Sequence, residues 1–147
     1  MGEQSELYDF KLIEATCLKQ GLSFNRISEN EIEVTIAPKM VLLIANEDDG
    51  TDTSVGFRDV PSHWHGSLTL MTGESTYVEY DPSEVLVGLT SGHVIVVTQY
   101  LKGQLQDRWL AHRDEKMDVR YMEPEEELRI YRAAALRDGT TVSESRE

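Results

Sequence analysis

Residues 81–112, with the sequence DPSEVLVGLTSGHVIVVTQYLKGQLQDRWLAH, contain the clearest structural signals in the chain. Asp81, Pro82 and Glu84 have the spacing of an N-cap, a first helical residue and the third helical residue of a capping box. Gly92 stands where such a helix would end, because a left-handed C-cap favours glycine. The stretch therefore predicts a short capped helix.

Two β-rich runs follow this helix, at 93–101 and 104–112, with Lys102-Gly103 between them. A two-residue loop that ends in glycine is typical of a tight β-hairpin. Counting outward from the loop predicts the cross-strand pairs Tyr100–Leu105, Thr98–Asp107, Val96–Trp109 and Ile95–Leu110. A late hairpin thus follows the short helix.

Upstream of this stretch, the apolar spacing predicts a further helix and several strands. Ser5 is a candidate N-cap for a helix that ends at Gly21, with a buried side including Cys17. The alternation over 31–36 indicates a half-buried strand, and the apolar run over 40–45 a central one. The expected fold class is α+β: a mainly antiparallel sheet of about six to nine strands, an N-terminal helix and one short helix before the hairpin.

The chain of 147 residues predicts a single domain spanning residues 1–137. Leu128 and Ile130 alternate with polar residues, so we interpret 127–136 as a strand, although its composition also suits a helix. Residues 138–147 lack apolar periodicity and are expected to form a disordered tail.

The net charge of −13 is the strongest global property of the sequence. Such a surface repels phosphate, which argues against nucleic-acid binding and against anionic membranes. No apolar stretch is long enough to span a bilayer, and the acidic first residues do not resemble a signal peptide. With a single cysteine, these features predict a cytoplasmic protein.

His63 and His65 are the best candidates for metal chemistry. Histidines two residues apart on an extended strand point to the same side, so both imidazoles can face one ion. Asp59, Glu74 or His112 would have to complete the ligand set. The sequence contains no assembled catalytic motif, and no cofactor is predicted.

Three functional hypotheses follow from these features. The leading one is a non-catalytic interaction or inhibitor module, such as an immunity-like protein, that binds a basic protein partner. It rests on the −6 balance of residues 29–59, eight acidic against two basic side chains. Its predicted binding residues are Asp48, Asp49, Asp52 and Trp64. The alternatives are a metal-binding module or metal-dependent enzyme that uses His63 and His65, and a small-molecule or peptide binder with a pocket lined by Trp64, Tyr80 and Trp109.

Overall fold

The computed structural model describes residues 7–47, 52–72, 76–115, 122–132 and 140–142. Within these ranges the chain forms two helices and eleven strands. The helices are α1 (Phe10–Gln20) and α2 (Pro82–Ser91). The strands are β1 (Ser23–Ser28), β2 (Glu31–Ala37), β3 (Met40–Glu47), β4 (Asp52–Phe57), β5 (His63–Trp64), β6 (Leu68–Met71), β7 (Tyr77–Tyr80), β8 (Val94–Leu101), β9 (Gln104–His112), β10 (Glu126–Tyr131) and β11 (Thr140–Val142).

The predicted α+β class with antiparallel strands is confirmed, but the described strands are divided among three sheets. The first sheet is a five-stranded meander from β1 to β5, and the second has the order β11-β10-β8-β9. Strands β6 and β7 form a separate hairpin. The expectation of one sheet of six to nine strands is therefore wrong. The helix α2 separates the strands that precede it from β8, and the second sheet packs across the core instead of extending the first.

Both helices begin at an aspartate. Asp9 caps α1 by accepting a hydrogen bond from the backbone N–H of Leu12, whereas the predicted cap Ser5 lies outside the described residues. Asp81 and Glu84 form the predicted capping box of α2. Gly21 and Gly92 end the helices with φ values of 74° and 92°, as glycine allows in the left-handed region. Neither described helix is long and apolar enough to cross a membrane.

The main core lies between the inner face of the first sheet, the two helices and one face of the second sheet. The predicted alternation in β2 is confirmed, because Ile32 and Val34 point into this core. Phe10, Ile13 and Cys17 of α1 pack against it in the predicted helical spacing. A smaller apolar cluster, which includes Ile95 and Val97, lies on the opposite face of the second sheet.

The late hairpin has the predicted turn but a different register. Lys102 and Gly103 both have positive φ, as a two-residue hairpin turn requires, and Tyr100 pairs with Leu105. Gln106 then has no partner in β8, so it forms a bulge that shifts the rest of the pairing by one residue. The observed pairs beyond it are Thr98–Arg108, Val97–Trp109, Val96–Leu110 and Ile95–Ala111. The three predicted pairs Thr98–Asp107, Val96–Trp109 and Ile95–Leu110 are therefore wrong.

The bulge places Arg108 on the core side of β9, where only 6% of it is exposed. Its Nε and Nη2 donate to the two carboxylate oxygens of Asp59, at 3.2 and 3.0 Å, and Nη1 donates to Thr98 Oγ1 at 3.0 Å. Ser62 Oγ donates to Asp107 Oδ2 at 2.8 Å nearby. The loop after β4 is thereby attached to the second sheet through a bidentate ion pair.

The C-terminal part of the described chain adds two strands to the second sheet. The interpretation of 127–136 as a strand agrees with β10, which ends at Tyr131 and pairs with β8. Residues 140–142, which lie in the stretch expected to be a disordered tail, form β11 and pair with β10. Residues 133–139 and 143–147 lie outside the described residues.

Helix α2 approaches β8 very closely at Gly88. A Cβ at this position would stand 2.5 Å from Cγ2 of Val94, a fully buried side chain. The absence of a side chain at Gly88 therefore sets the distance between helix and strand.

We expect Asp59→Ala to lower the free energy of unfolding by about 3 kcal/mol, because it leaves a buried guanidinium without its carboxylate. Urea denaturation measures this change. The neighbouring Arg58→Ala is the matched control: its ion pair with Glu33 is exposed, and we expect a loss below about 1 kcal/mol. Equal losses for the two variants would contradict the prediction.

We also expect Gly88→Ala to destabilise the protein by at least about 1 kcal/mol, although alanine favours a helix, because the new methyl group overlaps Val94. In a double-mutant cycle, Val94→Ala should lower the free energy of unfolding less in the Gly88→Ala variant than in the wild type, because the smaller side chain removes the overlap. A Gly88→Ala variant more stable than the wild type would contradict the prediction, because it would show that α2 and Val94 move apart without cost.

Candidate binding clefts at the two helices

The first turns of α1 and α2 border a cleft of about 470 Å³, closed on its other side by residues near β4 and β5. We call it the acidic cleft. Its polar lining includes Tyr8, Asp9, Asp52, His65, Asp81 and Ser83, and its apolar lining includes Leu7, Leu12, Ile13 and Pro82. The volume is within the range of small-ligand sites.

The polar wall of the acidic cleft is held in place by a network of hydrogen bonds. Tyr8 and Asn46 exchange two of them, since the Tyr8 N–H donates to Asn46 Oδ1 at 2.9 Å and Asn46 Nδ2 donates to the Tyr8 carbonyl at 3.2 Å. The Tyr8 hydroxyl donates to the carbonyl of Gly66 at 2.6 Å, and the N–H of Gly66 donates to Thr53 Oγ1 at 2.8 Å. His65 Nδ1 donates to the carbonyl of Thr53 at 2.6 Å. These hydrogen bonds hold the polar wall of the acidic cleft in one conformation without a ligand.

The three aspartates of the acidic cleft each have one oxygen to spare. Asp9, Asp52 and Asp81 accept a backbone N–H through Oδ1, at 2.8–3.2 Å. Their Oδ2 atoms have no partner among the residues that the structure describes. No lysine or arginine of the described ranges lines the cleft. The cleft therefore presents carboxylate oxygens that an incoming donor can reach.

The phenol of Tyr8 stays protonated at neutral pH. Its pKa is raised mainly by burial, which outweighs the lowering effects of the hydrogen bonds to Thr53 and Gly66, and the charge of Asp52 makes a smaller raising contribution. A protonated hydroxyl keeps donating to the Gly66 carbonyl, so this side of the cleft retains its shape.

A second depression, of about 540 Å³, runs along α2 and is bordered by β7. We call it the apolar groove. Three apolar side chains that line it are strongly exposed: Leu12 at 50%, Val78 at 40% and Val87 at 42%. Glu79 and Glu84 lie along it as well. Leu12, Asp81 and Ser83 line both the groove and the acidic cleft, so the two form one continuous surface.

The binding residues predicted from the sequence do not lie together at one site among the described residues. Asp52 lines the acidic cleft, whereas Asp48 and Asp49 lie outside the described residues. Trp64 is half-buried against the main core, and its indole Nε1 is buried with no hydrogen-bond partner among the described residues. Trp64 therefore packs as part of the interior and does not stand out as an exposed anchor. Of the pocket predicted from Trp64, Tyr80 and Trp109, only Tyr80 lines the apolar groove.

His63 and His65 lie close together, with ring centroids 5.0 Å apart and planes at 82°. The Nδ1 atom of each bonds to a backbone carbonyl, that of Pro61 for His63 and that of Thr53 for His65, and neither Nε2 has a hydrogen-bond partner among the described residues. Of the proposed third ligands, Asp59 pairs with Arg108 and Glu74 lies outside the described residues. Across the described ranges, no three His, Cys, Asp or Glu side chains are grouped so that they could hold a metal ion.

Sequence reasoning identified Asp81 as a cap and overlooked it as a lining residue. It placed the first helical cap at Ser5, and it did not consider Tyr8, Asp9 or Ser83 for the site. The capping patterns were available signals, since both helices begin at an aspartate. What the sequence does not show is that these two caps border one cleft, because Asp9 and Asp81 are 72 positions apart in the chain.

Comparison of the chain with protein-family models, with curated proteins and with solved structures gives no match.

Cys17 is fully buried on the core side of α1, as the sequence predicts. Burial, with a smaller contribution from the charge of Glu14, raises the pKa of its thiol to about 11. Because the thiolate is the reactive form, this thiol is inert in the folded protein.

We expect Cys17 to react with a thiol reagent at pH 8 only as fast as the protein unfolds. The reaction in increasing urea, followed by absorbance, should accelerate along the unfolding transition. The fully unfolded chain, in which the pKa returns to its ordinary value, is the reference for the maximum rate. Rapid labelling in native buffer would contradict the assignment of Cys17 to the core.

Proposed function

We propose that this protein is a non-catalytic interaction module that binds a basic partner protein through the apolar groove and its acidic surroundings. The observation that carries this proposal is the exposure of Leu12, Val78 and Val87 along one groove. Apolar side chains that line a concave surface and are rimmed by charged residues favour a protein-binding site.

The charges around the groove favour a partner with basic side chains. Glu79, Asp81 and Glu84 line it, and the chain as a whole carries a net charge of −13. A segment that places apolar side chains in the groove and lysine or arginine beside it would match both properties. Long-range attraction would raise its association rate, and the buried apolar side chains would slow its dissociation. An immunity-like inhibitor of a basic toxin is one form that such a module can take.

The alternative metal-binding function has less support. The proximity of His63 and His65 is the observation in its favour. However, a usable site needs three or four ligands, and the described residues contain no group of three His, Cys, Asp or Glu side chains that could hold a metal ion.

The test is affinity capture from cell extract with the wild type and with Val87→Asp as baits, followed by measurement of Kd for each retained protein. We expect a partner with a basic binding segment, whose Kd rises steeply with added salt and by at least about tenfold in Val87→Asp, because the substitution puts a charge into the apolar contact.

Leu18→Asp is the matched control, because Leu18 is 73% exposed on α1 and lines neither the acidic cleft nor the apolar groove. It introduces the same charge on the same kind of side chain, and we expect it to leave the Kd unchanged. The proposal fails if no protein distinguishes the wild type from Val87→Asp, or if the two variants weaken binding equally.

A further inference from the structure

We propose that the acidic cleft is a binding site for an organic cation that carries several N–H donors, namely an alkylammonium or alkylguanidinium group. This inference does not rest on the proposed function, because the residues that would hold the cation border the cleft itself and the groove is not needed to complete them.

The first observation is an unused hydroxyl. Ser83 is only 9% exposed, and its side chain has no hydrogen-bond partner among the described residues. Within those ranges, the one side-chain polar atom that is sealed off without a partner is Trp64 Nε1, so the Ser83 hydroxyl still borders open space. Ser83 lines the cleft at the edge that the cleft shares with the apolar groove. A hydroxyl that no protein group engages is available to accept a hydrogen bond from a bound donor.

The second observation is the arrangement of the carboxylates. Asp9, Asp52 and Asp81 border the same cleft, and each keeps Oδ2 free while Oδ1 is fixed by a backbone N–H. The acceptors are therefore held in position before a ligand arrives, which reduces the entropy lost on binding. Charge-assisted hydrogen bonds from N–H donors to carboxylates are among the stronger polar contacts.

The same geometry argues against two other ligand classes. A metal ion requires three or more ligands around one point, and no such group exists among the described residues. An anion would be attracted by the first turns of the two helices, but the capping carboxylates of Asp9 and Asp81 already occupy those positions. The carboxylates line a cleft of about 470 Å³ without converging on one point, which suits an organic cation with several donors better than a metal ion.

The apolar lining indicates what the cation is attached to. Leu7 and Leu12, which are 45% and 50% exposed, offer hydrocarbon surface beside the carboxylates. An aliphatic stem would lie against this surface while its head reaches the oxygens. Two sources share this chemistry: a free small amine, and the side chain of a lysine or arginine from a partner protein.

The test is NMR titration of the full chain with agmatine, which carries both a guanidinium and an ammonium group. 1,4-Butanediol serves as the uncharged probe. We expect saturable shifts of the backbone amides of Tyr8, Gly66 and Ser83 with agmatine and none with the diol. Asp52→Asn should weaken agmatine binding about tenfold and Ser83→Ala about threefold, while both variants keep the shape of the cleft.

Glu79→Gln is the matched control, because Glu79 lines the groove but not the cleft. We expect it to change the Kd for agmatine by less than about twofold, which separates specific contacts from the overall charge. The absence of saturable binding, or equal weakening by Glu79→Gln and Asp52→Asn, would overturn the proposal.

A second titration with a short arginine-containing peptide distinguishes the two sources. Binding of agmatine alone supports a free small amine as ligand, and tighter binding of the peptide at the same amides supports a partner side chain. The variant Val87→Asp should retain agmatine binding, since Val87 does not line the cleft. A protein that captures no partner yet binds agmatine would thus refute the proposed function and leave the cation site standing.

Discussion

The ion pair between Arg108 and Asp59 is a polar constraint on how the two larger sheets pack around their shared core. It joins the loop after β4, in the first sheet, to β9 of the second, and the guanidinium is almost completely buried. A buried guanidinium is tolerated only when its donors are satisfied, so this contact admits few relative positions of the sheets. The helices fill the remaining space, and their first turns come together beside β4 and β5.

The local signals in the sequence predicted most of the individual elements. The capping box at Asp81, the helix stops at Gly21 and Gly92 and the two-residue turn at Lys102-Gly103 are all present, because each depends on neighbours along the chain. Alternation identified β2 and its buried side chains for the same reason. Elements that are determined by local backbone chemistry can be read from one sequence.

The register beyond Gln106 could not be predicted in this way. A bulge leaves no clear mark in composition, yet it exchanges the two faces of β9 and turns Arg108 inward and Trp109 to the other side. The division into separate sheets and the placement of Asp9 and Asp81 at one cleft are long-range effects of the same kind. The negative charge near Asp52 was visible in the sequence, whereas the cleft that gathers it required the fold.

Asp9 and Asp81 carry out two tasks with one carboxylate each, since Oδ1 holds the first turn of a helix and the same side chain lines the cleft with an Oδ2 that has no partner among the described residues. Replacing either one to alter what the cleft accepts would also loosen a helix. Recognition and folding are therefore coupled at these positions. Substitutions that change the ligand would cost less stability at Asp52 or His65, which cap no helix, than at Asp9 or Asp81, which each begin one.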